Sequence, residues 1–251
     1  MIDLSIGVLT FSKLDTLRLC LDKLERCNQI SNYTLTICAD SISSHMDLIN
    51  YPSQYLDMNR QVKEYIEFYK QNTTNIYKNI EIIHTPHNLG PAASCKFLID
   101  HMFTKTEWIL FLEDDILVNK DALTYLVTTI ENAPEEFAYC ISPIFEHPDI
   151  SLNNIAEYAN KKQHIDWISS TDFAISKHIW DKYGHIRGEK SNGDSRFGYY
   201  MRENGLTSLC PMISRCTRIG QNHEYSYSKH FGSTDHVHSY IDINSDHILS
   251  P

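Results

Sequence analysis

The sequence has no apolar stretch approaching the roughly 20 residues that a helix needs to span a bilayer, so no transmembrane segment is expected. It also has no basic run. Its 32 acidic residues outnumber its 22 lysines and arginines, which gives a formal net charge of −10. Because nucleic-acid binding depends on cations that neutralise phosphates, this balance argues against DNA or RNA as the main partner. Peripheral contact with a membrane surface stays open.

Cysteine pairs at metal-binding or redox spacing are missing as well. The seven cysteines are an odd number and form no Cys-x-x-Cys motif. They stand at positions 20, 27, 38, 95, 140, 210 and 216, and most of them fall in predicted strands or helices. Buried free thiols in a reducing compartment fit this distribution better than disulfides or a zinc site. The first residues lack the basic segment of a signal peptide and predict a strand. We therefore expect a cytoplasmic protein, with a place at the inner face of the membrane left open.

Strands and helices alternate through the first 145 residues. Apolar runs predict strands over residues 4–11, 33–39, 80–84, 108–112 and 137–143. Amphipathic spacing predicts helices after Ser12, which can cap the first of them, and over residues 54–70, 92–102 and 121–132. Four β-α units in succession favour a sheet of parallel strands with right-handed crossovers.

The second half is less regular. Residues 167–176 suit a strand, 177–183 a short helix, 184–193 a loop, 194–203 a helix and 206–209 a strand. From Gln221 onward the pattern dissolves while histidines accumulate, at positions 223, 230, 236, 238 and 247. We expect one domain over residues 1–220 and a His-rich tail or lid over residues 221–251. That tail could supply a metal ligand, for which His223 is the candidate, or be a solvated terminus.

Three consecutive carboxylates, Glu113, Asp114 and Asp115, follow the apolar run at 108–112. Unpaired buried carboxylates are costly, so the triplet should lie at the open end of the strand and face something cationic. Mg²⁺ or Mn²⁺ is the natural partner, and such ions usually carry substrate phosphate as well. The carboxyl ends of strands in an open α/β sheet are where ligands bind. The alternative is an exposed acidic turn.

Five short segments form a pattern along the chain: Cys20-Leu21-Asp22-Lys23-Leu24, Cys38-Ala39-Asp40-Ser41, Asn88-Leu89-Gly90, Leu112-Glu113-Asp114-Asp115-Ile116 and Pro211-Met212-Ile213-Ser214-Arg215. Together they resemble segments of nucleotide-sugar glycosyltransferases with the GT-A fold, over roughly residues 2–220. The chain is most similar to the N-acetylglucosaminyltransferase I family and to bacterial inverting family 2-like glycosyltransferases. This resemblance implies an α/β GT-A domain with a mixed, mostly parallel sheet flanked by helices.

The resemblance also implies roles for individual residues. Asp115 would bind the metal, Asp114 would touch the ribose or the sugar, and Asp40 would accept a hydrogen bond from N3–H of uracil. Further contacts to the nucleotide sugar are expected from Leu9, Thr10, Phe11, Asn88, Gly90, Glu113 and Arg215. Asp40 could instead form a helix cap or an Asx-turn. The Asn88–Gly90 segment could be a plain turn.

An inverting transfer needs a general base that faces the acceptor hydroxyl, and Asp194 is the candidate. It opens a predicted apolar helix after Asn192-Gly193. The N-acetylglucosaminyltransferase I motif has paired acidic residues flanked by tryptophans here, so this segment looks more like the bacterial relatives. Asp194 could simply be a helix N-cap. Asp172 and Asp166 are the fallback bases.

The sequence therefore predicts a metal-dependent, inverting glycosyltransferase. It would use Mn²⁺ or Mg²⁺ to move a sugar, GlcNAc or another hexose, from a UDP-sugar to a glycan or lipid-linked glycan. Arg215 and Arg218 could reach the diphosphate or pair with carboxylates. A nucleotidyltransferase is the alternative among enzymes, although residues 10–14 lack the glycine that its first loop normally contains. The remaining alternative is a non-catalytic sugar-binding domain of the same fold.

Overall fold

The computed structural model describes residues 2–42, 53–133, 136–142, 154–169, 171–187 and 193–219. The predicted tail beyond residue 220, with His223 and the other C-terminal histidines, lies outside these residues. Among the described helices, none is long and apolar enough to cross a membrane.

Strands and helices alternate as expected through the first half and less regularly afterwards. The strands are Leu4–Thr10 (β1), Thr34–Ala39 (β2), Asn79–His84 (β3), Trp108–Glu113 (β4), Ile116–Val118 (β5), Ala138–Cys140 (β6), Lys162–Ile165 (β7), Asp172–Ser176 (β8), Ser208–Pro211 (β9) and Cys216–Arg218 (β10). The α-helices are Leu14–Glu25 (α1), Ser53–Asn72 (α2), Gly90–Met102 (α3), Ala122–Asn132 (α4), Ile155–Tyr158 (α5), Lys177–Tyr183 (α6) and Gly193–Asn204 (α7). Short 3₁₀ turns cover Ile30–Asn32 and Gly184–Arg187.

Eight strands form one mixed sheet in the order β3-β2-β1-β4-β8-β6-β9-β7. The first four are mutually parallel, β8 runs antiparallel to both β4 and β6, and β9 is parallel to β6. The carboxyl ends of β1, β2, β3, β4, β6 and β9 therefore meet at one edge of the sheet. The predicted mixed, mostly parallel α/β class is confirmed.

The central strands are apolar on both faces because helices cover both faces of the sheet. One core cluster joins the sheet to α1, α2 and α4, and the other joins it to α3, α6 and α7. Gly7 in β1 permits the close approach of α3, since a Cβ there would lie 2.6 Å from the Met102 sulfur. The sheet therefore packs against helices on both faces, and its carboxyl edge lies at the end of this core.

Some local predictions differ from the structure. Of the strand predicted over residues 167–176, only Asp172–Ser176 (β8) is a strand. The edge strand β7 at Lys162–Ile165 was not predicted, because its polar sequence has no apolar pattern that could reveal it. The 184–193 segment begins as a 3₁₀ turn, not a loop. The cap of α1 is Lys13, not Ser12, and no side chain caps that end. The pairing of β5 with β10 was not predicted because it joins segments about 100 residues apart.

Candidate functional site

The acidic triplet lies where β4 ends, at the carboxyl edge of the sheet beside β1. Asp114 and Asp115 are buried, with 7% and 2% of their surfaces exposed, so the alternative of an exposed acidic turn is wrong for these two. The Thr10 hydroxyl at the end of β1 donates to Asp114 Oδ2 at 2.6 Å. Leu9 precedes Thr10 in the same buried strand. The predicted first-strand and triplet residues are therefore neighbours, although their contact with a donor stays a prediction.

The pKa values of two carboxyl groups in the triplet are raised. Burial, followed by the charge of Asp115, raises the pKa of Asp114 to about 7, although Lys13 and the Thr10 hydroxyl oppose the shift. Burial also raises the pKa of Glu113 to about 7, against the opposing charge of Arg218. Carboxylates held together at this cost are typical of functional sites. Such an arrangement favours binding of a cation.

The two carboxylate oxygens of Asp115 have different surroundings. Lys13 Nζ lies 3.6 Å from Asp115 Oδ2 and Arg218 Nε lies 3.8 Å from the same oxygen. The other oxygen, Oδ1, is buried and has no hydrogen-bond partner among the residues that the structure describes. A buried carboxylate oxygen left unsatisfied is costly, and a divalent cation would satisfy it.

In the described parts of the chain, no three His, Cys, Asp or Glu side chains are placed to hold a metal ion together. This does not conflict with Asp115 as a ligand, because Mg²⁺ and similar ions are often bound by one or two carboxylates together with substrate phosphates. The residues present therefore fit a metal that arrives with, or is completed by, a phosphorylated substrate.

Asp40 follows β2 and is fully engaged with the protein. Its Oδ1 accepts from the backbone N–H groups of Ser41 and Leu89, each at 3.0 Å, and from the Thr85 hydroxyl at 2.7 Å. Its Oδ2 accepts from the Gly90 N–H at 3.0 Å and from the Asn88 amide at 3.3 Å. The alternative of a cap is thus what this carboxylate forms here, at the start of α3. Its contact with uracil stays a prediction.

The Asn88–Gly90 segment is drawn to Asp40 by these bonds. Gly90 has a φ of +74°, a conformation that side-chain-bearing residues rarely adopt, so this position requires glycine. Two consecutive N–H groups point at one carboxylate, and the loop is tied to the end of β2. The segment lies at the carboxyl edge of the sheet, and its contact with the donor stays a prediction.

The two late arginines have different surroundings. Arg215, the predicted donor contact, is buried and forms an ion pair with Asp121 at 3.1 Å. It also donates to the Ala159 carbonyl and lies over the Tyr125 ring. Arg218 instead reaches the acidic triplet, with Nη2 3.5 Å from Glu113 Oε2. The contacts of Arg215 with Asp121, Ala159 and Tyr125 are structural, so Arg218 is the cation better placed to meet a bound anion.

The three candidate bases differ in their surroundings. Asp194 lies in the first turn of α7, but its side chain lies outside the described residues. Asp172 is buried and accepts from the hydroxyls of Ser142, Ser169 and Thr171. Asp166 is exposed and pairs with Arg202 at 3.0 Å. The fallback bases are thus occupied by structural partners, and Asp194 stays the candidate.

Two residues at this edge were missed by the sequence analysis. Lys13 could not be recognised because its partner Asp115 lies far along the chain and no local pattern joins the two. Asn59 is a buried amide in α2 that bonds to backbone groups after both β1 and β2. Its signal was a polar residue in register with the apolar positions Val62 and Ile66.

Comparison with known proteins adds two findings. A model of the family described as "Glycosyl transferase family 2" matches residues 59–197. No curated protein is significantly similar to this chain.

Among solved structures, S. aureus TarS 1-349 superposes with a TM-score of 0.60 at 14% identity, covering 88% of this chain and 61% of that one. TarS 1-349 in complex with UDP gives a TM-score of 0.59 at 14% identity, with coverages of 86% and 59%. The complex with UDP-GlcNAc gives 0.59 at 12% identity, with coverages of 90% and 62%. This chain thus spans about three fifths of the length of these proteins. The likeness confirms the GT-A fold, while the narrower resemblance to N-acetylglucosaminyltransferase I stays a prediction.

Proposed function

The chain belongs to glycosyl transferase family 2, and from this premise we propose that it is a metal-dependent, inverting enzyme that moves a sugar from a UDP-sugar to a glycan or lipid-linked glycan. The observation that carries the proposal is Asp115, a buried carboxylate with one oxygen near two cations. Its other oxygen has no hydrogen-bond partner in the described part of the chain. The family membership favours this reading over a nucleotidyltransferase.

The chemistry of the departing group explains the mixture of charges at the edge of β4. Transfer breaks the bond between the anomeric carbon and the diphosphate oxygen, so negative charge develops on UDP. A divalent ion on Asp115, when bound, would neutralise that charge as a Lewis acid. Lys13 and Arg218 face the same carboxylate, and they are the side chains that would hold and orient the diphosphate.

The acceptor hydroxyl must lose a proton as its oxygen attacks the anomeric carbon. We assign the receiving carboxylate to Asp194, on the side of the sugar opposite the diphosphate, because inversion requires in-line displacement. The proton passes from the acceptor hydroxyl to this carboxylate, the new C–O bond forms, and the electron pair of the breaking bond leaves with UDP. The position of Asp194 in the first turn of a helix supports a fixed backbone for this role.

The donor and the setting are proposed on separate grounds. Solved complexes of TarS contain UDP and UDP-GlcNAc, which supports a uridine donor and makes GlcNAc the first hexose to test. Seven free, buried cysteines support a reducing, cytoplasmic setting. An acceptor on a lipid carrier would bring the enzyme to the inner face of the membrane.

A thermal-shift panel tests the proposal. A ligand that binds only the folded state raises its stability by mass action, so UDP and one or more UDP-sugars should raise the Tm more with Mn²⁺ than without it. CDP, GDP and ADP serve as controls. No shift with any uridine nucleotide would contradict the proposal. Binding of UDP-sugars without slow release of UDP would favour the alternative of a non-catalytic sugar-binding domain.

A further inference from the structure

Helix α2 presents two different stripes. Val62, Ile66 and Tyr69 are buried in the core against the sheet. Tyr55, Asn59 and Lys63 follow one another at four-residue spacing, so they lie along one line on the helix. This second stripe meets the segments that follow β1 and β2, which are two of the loops at the carboxyl edge.

Asn59 is the centre of that stripe and is 2% exposed. Its Nδ2 donates to the Phe11 carbonyl at 2.6 Å and to the Asp40 carbonyl at 2.7 Å. Its Oδ1 accepts from the Ile42 N–H at 3.3 Å. One side chain therefore bonds to the backbone just beyond β1 and at two points just beyond β2.

These bonds begin where the strand pairing ends. The last backbone bond between the two strands runs from the Asp40 N–H to the Thr10 carbonyl at 2.9 Å. Beyond this bond the carbonyls of Phe11 and Asp40 still need donors, because backbone carbonyls withdrawn from water are rarely left unpaired. The amide of Asn59 supplies both donors and so fixes the distance between the segments.

The neighbours of Asn59 on the stripe contact the same two segments. The ring of Tyr55 stacks on Phe11, with centroids 6.1 Å apart and an interplanar angle of 26°. Lys63 Nζ donates to the Ser41 hydroxyl at 3.0 Å. Phe11 and Asp40 are the residues predicted to meet the nucleoside, so α2 shapes the place where the base of the donor would bind.

We propose that Asn59 is a positioning residue for the nucleoside end of the donor site: it sets the separation of Phe11 and Asp40 and acts on the ligand only through them. This inference rests on the proposed function. It requires the effect of Asn59 to fall on the uridine part of the donor, whereas that of Asp115 falls on the metal-bound diphosphate.

The test is calorimetric binding of UMP and UDP to the folded chain, with and without Mn²⁺. Asn59→Leu keeps the approximate volume but removes every bond, so UMP and UDP should both weaken by the same factor, roughly tenfold, as for the loss of buried hydrogen bonds. The ratio of UDP affinities with and without Mn²⁺ should stay at the wild-type value. Asp115→Asn should instead leave the UMP affinity at the wild-type value and abolish the effect of Mn²⁺ on the UDP affinity.

Thr106→Val is the matched control, because the Thr106 hydroxyl is equally buried and donates to the Asp3 carbonyl at 2.8 Å at the opposite edge of the sheet. It should leave UMP affinity unchanged. If Asn59→Leu fails to fold, Asn59→Ser, which retains one donor, is measured in the same way. Wild-type UMP affinity in a folded Asn59 variant, or loss of UMP binding equal to that in Thr106→Val, would overturn the inference. Failure of the wild-type chain to bind UMP or UDP would instead overturn the proposed function.

Discussion

At the scale of single residues, Asp115 is the most informative side chain in the molecule. It is 2% exposed and has two cations beside one oxygen, while its other oxygen meets no hydrogen-bond donor within the described ranges. Folding gains nothing from an unsatisfied buried oxygen, so its presence indicates a function that offsets the cost. Its identity as a candidate ligand could be predicted from the sequence. Arg218 was one of two arginines expected to reach the diphosphate or to pair with carboxylates, and it lies beside the triplet. Lys13 could not be predicted, because a distant part of the chain brings it to Asp115.

We expect Asp115→Asn to abolish the Mn²⁺ dependence of UDP binding without lowering stability, because the substitution removes a buried charge and keeps the size of the side chain. The free energy of unfolding should stay within about 1 kcal/mol of the wild-type value. Calorimetry and urea denaturation measure the two quantities. Unchanged Mn²⁺ dependence in the folded variant would exclude Asp115 as the ligand.

Asp40 has a structural role in addition to its predicted contact with uracil. Because its carboxylate accepts from the backbone of Leu89 and Gly90, Asp40→Ala should lower the free energy of unfolding by about 2 kcal/mol, which urea denaturation measures. The predicted contact with uracil N3–H further requires UDP to bind the wild-type chain more tightly than CDP, GDP or ADP, with the preference reduced in the variant. Equal wild-type affinities for the four diphosphates would remove the uracil role and leave only the cap.

At the scale of elements, the segment from Ser214 to Arg218 shows how β-pairing assigns different tasks to similar residues. Cys216 and Arg218 pair antiparallel with Val118 and Ile116 of β5, directly after the acidic triplet. This pairing carries Arg218 to Glu113 and Asp115, while Arg215 lies before the strand and is buried against Asp121. The sequence marked both arginines but could not separate them, because the register of a pairing across 100 residues is not a local property.

The two arginines should therefore respond differently to substitution. Arg215→Met should lower the free energy of unfolding by about 2 kcal/mol, since it leaves Asp121 without its buried partner, and should not alter the UDP affinity of the folded fraction. Arg218→Met should leave stability nearly unchanged and weaken UDP binding about tenfold through the loss of a charge-assisted contact to the diphosphate. Denaturation and calorimetry on both variants decide this. The opposite pattern would return the donor contact to Arg215.

At the scale of the whole molecule, the part that could be predicted is the part encoded by local pattern. The buried runs of β1, β2 and β4 and the amphipathic helices between them gave the parallel half of the sheet and the carboxyl edge. The antiparallel half could not be predicted in detail, because β7 is a polar edge strand and β5 and β10 are three residues each. The role of Asn59 could not be predicted from strand and turn patterns either, because Asn59 lies in a helix and its partners lie in two separate loops.

The fold therefore presents one carboxyl edge at which a cation site, a nucleoside end and an acceptor side can be arranged in sequence. We propose Asp115, with Lys13 and Arg218 beside it, for the first, and Phe11 with Asp40 for the second. Asp194, in the first turn of α7, is the proposed residue of the third. This arrangement makes cleavage of a UDP-sugar the central claim.

Release of UDP from UDP-GlcNAc and other UDP-sugars, measured with Mn²⁺ and without it, tests that claim most directly. The account predicts slow, Mn²⁺-dependent release in which water replaces the acceptor. It also predicts a roughly 10²–10⁴-fold lower rate in Asp194→Asn at unchanged UDP affinity, the usual scale for a lost general base. Asp166→Asn, which removes an exposed ion pair with Arg202, is the control and should keep the wild-type rate. Absence of Mn²⁺-dependent release from every UDP-sugar by a chain that binds UDP would contradict the account.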